Sequence, residues 1–264
     1  MSAPTGVTLA FLLQFIDDFG GRAAFRGLTT EDVCYLYVLP TTEAANASYL
    51  DQYMQAHPAS AGLMTAPANW YLGHTWQSLF LDVVDSITSF VYTVGDVRTT
   101  SVWFCLFANN QHEMQSFSFV QYMTRFRSVL DATGQLLLIL PDLADPILLR
   151  RSWCLFEIFI AHCSGSVIEI ASMATADPTF GTDPTVLLPC LHAVCTEDSE
   201  AATEQDEALI VQIIDAQLGC DAMDQLVLRI LTTWFANLAR TKFAPMQRPA
   251  TQGMSPPCIS SVTN

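Results

Sequence analysis

Apolar positions recur at helical spacing through the first part of the chain. Leu9, Leu12, Leu13 and Ile16 share a face, and Gly20-Gly21 stops the run. A second helical segment is predicted from Thr29-Thr30-Glu31 through Val33, Tyr35, Leu36 and Leu39 to Pro40. A third runs from Ala44 to Gln55, with Tyr49, Leu50 and Tyr53 on one face, and Pro58 and Pro67 bracket a small-residue linker. From residue 69 the rhythm changes. Asn69-Trp70-Tyr71-Leu72-Gly73 is short, aromatic and strand-like, and Leu79, Phe80, Val83, Val84 and Ile87 make a helical stripe. Ser101 to Phe107 and Gln135 to Leu140 are continuous apolar runs, the pattern of strands buried on both faces. A helix is predicted between them from Phe117 to Leu130, another from Ile147 to His162, and a last strand from Val167 to Ala171.

Strands and helices thus alternate at crossover spacing. That order implies an α/β fold, a flavodoxin-like open parallel sheet with helices on both faces. Strand order is expected to be 2-1-3-4, with 70–73 beside 135–140. Residues 1–66 read as an N-terminal helical extension, and 67–240 as the α/β domain with C-terminal helices. The final helix carries Met223, Leu226, Val227, Ile230, Leu231, Trp234, Phe235 and Leu238 in one stripe, and 241–264 reads as a disordered tail. Both helical flanks need cover for their apolar faces and are expected to pack on the same core.

Composition narrows the classes of function. Twenty-six acidic and 11 basic residues give a net charge of −15, and Lys242 is the one lysine. Phosphate binding over long nucleic-acid tracts needs clustered cations, so nucleic acid is an unsuitable partner. Hydrophobic residues make up 51% and mean hydropathy is +0.31, which supplies ample core. The apolar runs are broken by Asp142, Asp145 and Glu157, so no membrane span is expected. The N-terminus lacks a basic start and a cleavage signal, so it reads as a buried helix rather than a secretion signal. Eight cysteines, several within apolar runs, suit a reducing, cytoplasmic compartment better than disulfides, and Cys190, His192 and Cys195 lack the second pair a zinc site needs. Six acids between Glu197 and Glu207 read as a solvated loop and an acid-rich helix start.

The strand order itself points to a site. In such sheets the crevice lies beyond the carboxyl ends of the two strands at the switch point. After the first comes His74-Thr75-Trp76-Gln77, and after the other comes Pro141 to Pro146, followed by a helix with Arg150, Arg151, Trp153, Cys154 and Glu157. A histidine, aromatic faces, arginines and one carboxylate suit a nucleotide. Glu157 is the one acid between Asp145 and Glu169, inside an apolar segment. Such an acid is partnered, at an edge or functional: it could pair with Arg150 or Arg151, or face water, or serve chemistry. GxSxG, GxGxxG and GxxxxGK[ST] are all absent from the sequence.

Ser152-Trp153-Cys154-Leu155-Phe156-Glu157-Ile158 resembles the S-x-W-C-L-x-E-L helix of TIR domains, especially plant-type ones. Tyr71-Leu72-Gly73-His74-Thr75-Trp76 resembles the F-V-S-H-A-W strand of a TIR-like eukaryotic branch, which is similar here to fungal heterokaryon-incompatibility domains. Residues Trp103 to His112 match that branch's W-L-D-x-F-x-x-N-Q-H, with Cys105 in place of Asp and Gly73 in place of the earlier Ser. The resemblance implies NAD⁺ glycohydrolysis with Glu157 as the key carboxylate and NAD⁺ as substrate rather than cofactor. His74, Thr75, Trp76, Arg150, Arg151 and Trp153 are the expected ligand-binding residues, with no metal. It equally implies an alternative, a non-catalytic signalling module that self-associates.

Overall fold

The computed structural model describes residues 3–93, 95–114, 116–176 and 180–243. It is an α/β structure built on one six-stranded sheet: β1 (Thr5–Thr8), β2 (Thr65–Pro67), β3 (Trp70–Gly73), β4 (Ser101–Trp103), β5 (Gln135–Ile139) and β6 (Val167–Ala171). The order is β2-β1-β4-β3-β5-β6. β4, β3, β5 and β6 are parallel, with Tyr71 opposite Trp103 on one side and Leu136 on the other.

The sheet is not wholly parallel, and the first 66 residues are not wholly helical. β1 runs antiparallel to both β2 and β4, so the N-terminal segment adds an antiparallel edge. Thr5-Gly6-Val7-Thr8 holds a single apolar residue, too little for alternation to show. Thr8 then caps the helix Leu9–Asp18, its hydroxyl accepting from the Phe11 amide at 3.3 Å. The apolar run 101–107 is also shorter as a strand than expected. It ends at Trp103, and Cys105–Ala108 form a helical turn. Both states bury a continuous apolar run, so periodicity does not separate them.

Alternation along β5 distributes the core. Leu136 and Leu138 join Tyr71 and Trp103 on one face, under the helices Phe119–Thr133, Ser152–Cys163, Glu204–Gln217 and Cys220–Phe243. Leu137 and Ile139 join Val7, Leu72 and Val102 on the other, under Leu9–Asp18 and Phe80–Thr93. Phe11, Phe15 and Phe25 from the N-terminal segment interlock there with Phe80 and Phe107. Among the described residues no helix is long and apolar enough to cross a membrane. From residue 244 on, the expected tail lies outside the described residues.

One helical run walls the site. Thr30–Val33 begins with a capping box between Thr29 and Asp32, and Cys34–Val38 is a π-turn. The Leu39 amide reaches back to the Cys34 carbonyl, one residue further than in an α-helix. Pro40 follows and has no amide to give, so the ladder opens just before it. The Thr42 hydroxyl donates to the Val38 carbonyl at 2.9 Å.

Candidate functional site

A cleft of about 550 Å³ opens at the carboxyl ends of β3 and β4. The Ser152–Cys163 helix turns Trp153, Cys154 and Glu157 toward it, a spacing of three and four residues that places them on one face. This accounts for an acid within an apolar segment: Leu155 and Phe159 on the opposite face are core. The loop after β5, Pro141 to Pro146, contributes no lining residue, so the cleft lies toward β4 rather than between β3 and β5 as the strand-order argument expects. The segment after β4 curls into helical turns there and brings Cys105, Asn109 and Gln111 to the wall.

The floor is a carboxyl with two unlike oxygens. The Tyr71 hydroxyl donates to Glu157 Oε1 at 2.5 Å. Oε2 has no accessible surface and no hydrogen-bond partner. Burial pushes the carboxyl up to about 8, and the Tyr71 hydrogen bond works against that rise. Neither Arg150 nor Arg151 pairs with it. Arg150 is exposed, bonded to Asp145, and does not line the cleft. Arg151 does line it, with a loose contact of 3.6 Å to Glu200.

The loop after β3 forms one wall. His74 is buried against Phe104, ring centroids 4.8 Å apart, and its Nε2 has no partner. Burial lowers its pKa to about 4, so the imidazole is neutral at ordinary pH. Thr75 is occupied locally, its hydroxyl donating to Gln77 Oε1. Trp76 presents a half-buried indole to the cleft. This wall is held by the N-terminal segment. The Glu31 amide donates to the Trp76 carbonyl at 3.1 Å, and the Thr30 amide to the Ser78 carbonyl at 2.9 Å. Glu31, Cys34, Tyr35 and Leu39 therefore close that side.

On the opposite wall Trp153 packs against Phe119 and Tyr122. Glu200 pairs its backbone with Arg150 and Ser152, which brings Ala202 and Asp206 to the rim. Asp206 lies in the first turn of Glu204–Gln217, capped by Thr203, where the acids suit the helix dipole.

His74, Thr75, Trp76, Arg151, Trp153 and Glu157 thus share one cleft, and Arg150 stands apart from it. Sequence reasoning missed Tyr71, Trp103, Arg125 and Asp206. Tyr71 and Gly73 alternate onto the same face of a strand that ends at the crevice, a signal that points to Tyr71. Arg125 lies one helical turn from Tyr122 and donates through Nε to Asn109 Oδ1 at 3.2 Å; its sequence surroundings are ordinary for a solvated face. Among the described residues no cluster of His, Cys, Asp or Glu could hold a metal ion, and the cysteines are free. No protein-family model matches the chain, and neither a curated protein nor a solved structure matches it.

Proposed function

We propose that the chain is a TIR-like domain that cleaves NAD⁺ at the nicotinamide–ribose bond, with Glu157 as the key carboxylate. The observation that carries this reading is the half-satisfied Glu157 carboxyl at the floor of a nucleotide-sized cleft, unpaired with any arginine. A structural ion pair would set Arg150 or Arg151 against the carboxyl, and these pair with Asp145 and Glu200 instead; a solvated acid would not be held between Tyr71 and Gly73. The parallel strands β4-β3-β5-β6 support a flavodoxin-like core to which β1 and β2 are added. The free thiols support a reducing, cytoplasmic setting.

The chemistry asks little of the protein beyond charge placement. The C1′–N bond breaks with its electron pair going to nicotinamide, which leaves neutral, so no general acid is needed. Positive charge then develops on the ribose and gains from an adjacent carboxylate. Water bonds to C1′ and loses a proton, giving ADP-ribose. Burial alone keeps Glu157 protonated near neutrality. A cationic nicotinamide ring entering beside it draws the carboxyl back toward its ionised form. Trp76 and Trp153 offer faces for the rings. Arg151 offers charge to the diphosphate, with Arg125 beside the same cleft.

The test is incubation of the purified chain with NAD⁺ and chromatography for nicotinamide, alongside Glu157→Gln. Release by the wild type and none by the variant is expected. No release by the wild type sinks the enzymatic reading and leaves a self-associating signalling module.

A further inference from the structure

We propose that Tyr71 and Gly73 are the positioning pair for Glu157: Tyr71 anchors Oε1, and Gly73 makes room for Oε2 against the strand and leaves it without a partner. The assignment rests on the functional reading of the cleft given above. Both residues belong to β3, two apart, and so project to the same face. Tyr71 is itself immobile. It stacks on Trp103 with centroids 5.2 Å apart at 20°, meets Phe126 edge-on, and is 4% exposed. A ring held on two sides gives its hydroxyl one direction, and that direction is Oε1.

Gly73 acts by what it lacks. A Cβ at this position would lie 3.2 Å from Glu157 Oε2, and 3.0 and 3.1 Å from the side-chain ends of Leu138 and Leu136. Any side chain there would crowd the free oxygen. With glycine, Oε2 stays buried and unpaired, a costly state in a protein of fixed shape. One oxygen is therefore fixed by the protein and the other left unpaired. Other titratable or charged groups border this carboxyl or line the same cleft. Burial raises the thiols of Cys105 and Cys154, and His74 stays neutral near pH 7. Arg125, Arg151, Glu31 and Asp206 also line the cleft.

The test is the ionisation of Glu157 itself, followed by carbon-13 NMR of labelled glutamate carboxyls and assigned by the signal lost in Glu157→Gln. Tyr71→Phe removes a donor to the ionised form, so the midpoint should rise by about one to two pH units. Gly73→Ser puts a hydroxyl within reach of Oε2, so the midpoint should fall by a similar amount as the two leucine ends give way. An unchanged or lowered midpoint in Tyr71→Phe overturns the anchor. An unchanged or raised midpoint in Gly73→Ser overturns the open oxygen. In turnover, Tyr71→Phe should lower kcat/KM for NAD⁺ about tenfold at pH 7, and recover as pH rises. A wild type that releases no nicotinamide defeats the functional reading alone, since the two titrations still decide the pair.

Discussion

At the scale of residues, the protonation of Glu157 is coupled to stability. Its carboxyl titrates near pH 8 in the folded chain against 4.5 for an unperturbed glutamate. Below 4.5 the proton is bound in both states and the contribution is complete. Between the two values the folded state alone keeps the proton, so stability falls as pH rises, by about 1.4 kcal/mol per unit of pKa difference. Above the folded value the loss is finished. The amide that Glu157→Gln introduces has no proton to lose and still accepts from Tyr71. Denaturant titration should therefore find wild type and variant close at about pH 5, with the variant more stable by several kcal/mol at about pH 9. Parallel curves would show that the carboxyl is not buried as described. The arginines give a second contrast. Arg151→Ala should raise KM for NAD⁺ by roughly 10- to 100-fold, the worth of a charge-assisted hydrogen bond, while Arg150→Ala leaves it within about twofold. Equal effects would contradict the separation of Arg150 from the cleft. Glu157 and the loop His74 to Trp76 were legible in the sequence, because an acid among apolar residues and a strand-end loop both announce themselves. Arg150 and Arg151 were not separable there, since adjacent residues point apart only once the turn at Arg151 is formed.

At the scale of elements, strands with strong local signals were legible and those made by distant pairing were not. β3, β5 and β6 follow apolar runs bounded by turns. β1 and β2 exist because Gly6 meets Ala66 and Val7 meets Val102, contacts roughly 60 and 95 residues apart in sequence. Helix ends depend on single residues in the same way. Gly134 adopts φ +64° and ends the Phe119–Thr133 helix, which carries Tyr122 and Arg125 to the cleft. A Cβ there meets no neighbour, so the cost of Gly134→Ala is conformational, about 1 kcal/mol. Thermal unfolding should show that loss with turnover unchanged. A fall of more than about 3 kcal/mol would mean that the turn does more than end a helix.

At the scale of the whole molecule, the two flanks contribute to both walls of the cleft and cover both faces of the sheet. A fragment of residues 67–240 loses Phe11, Leu12, Phe15 and Phe25 from one face and the Glu31 and Tyr35 side of the cleft. Expressed alone it should aggregate or fail to unfold cooperatively, because that face becomes a large exposed apolar patch. A soluble, cooperatively folding fragment would contradict the shared core. With a net charge of −15 over the chain, Arg125 and Arg151 at the cleft are the cations toward which the proposed phosphorylated ligand would be drawn. The central claim is that this cleft breaks the nicotinamide–ribose bond through ionised Glu157. It is tested most directly by the rate of nicotinamide release at limiting NAD⁺, measured from about pH 5 to about pH 9 in wild type and Glu157→Gln. The wild-type rate should climb with pH and level off near the folded pKa of about 8, with the variant at background throughout. Absence of release at every pH, or equal rates in the two proteins, would contradict it.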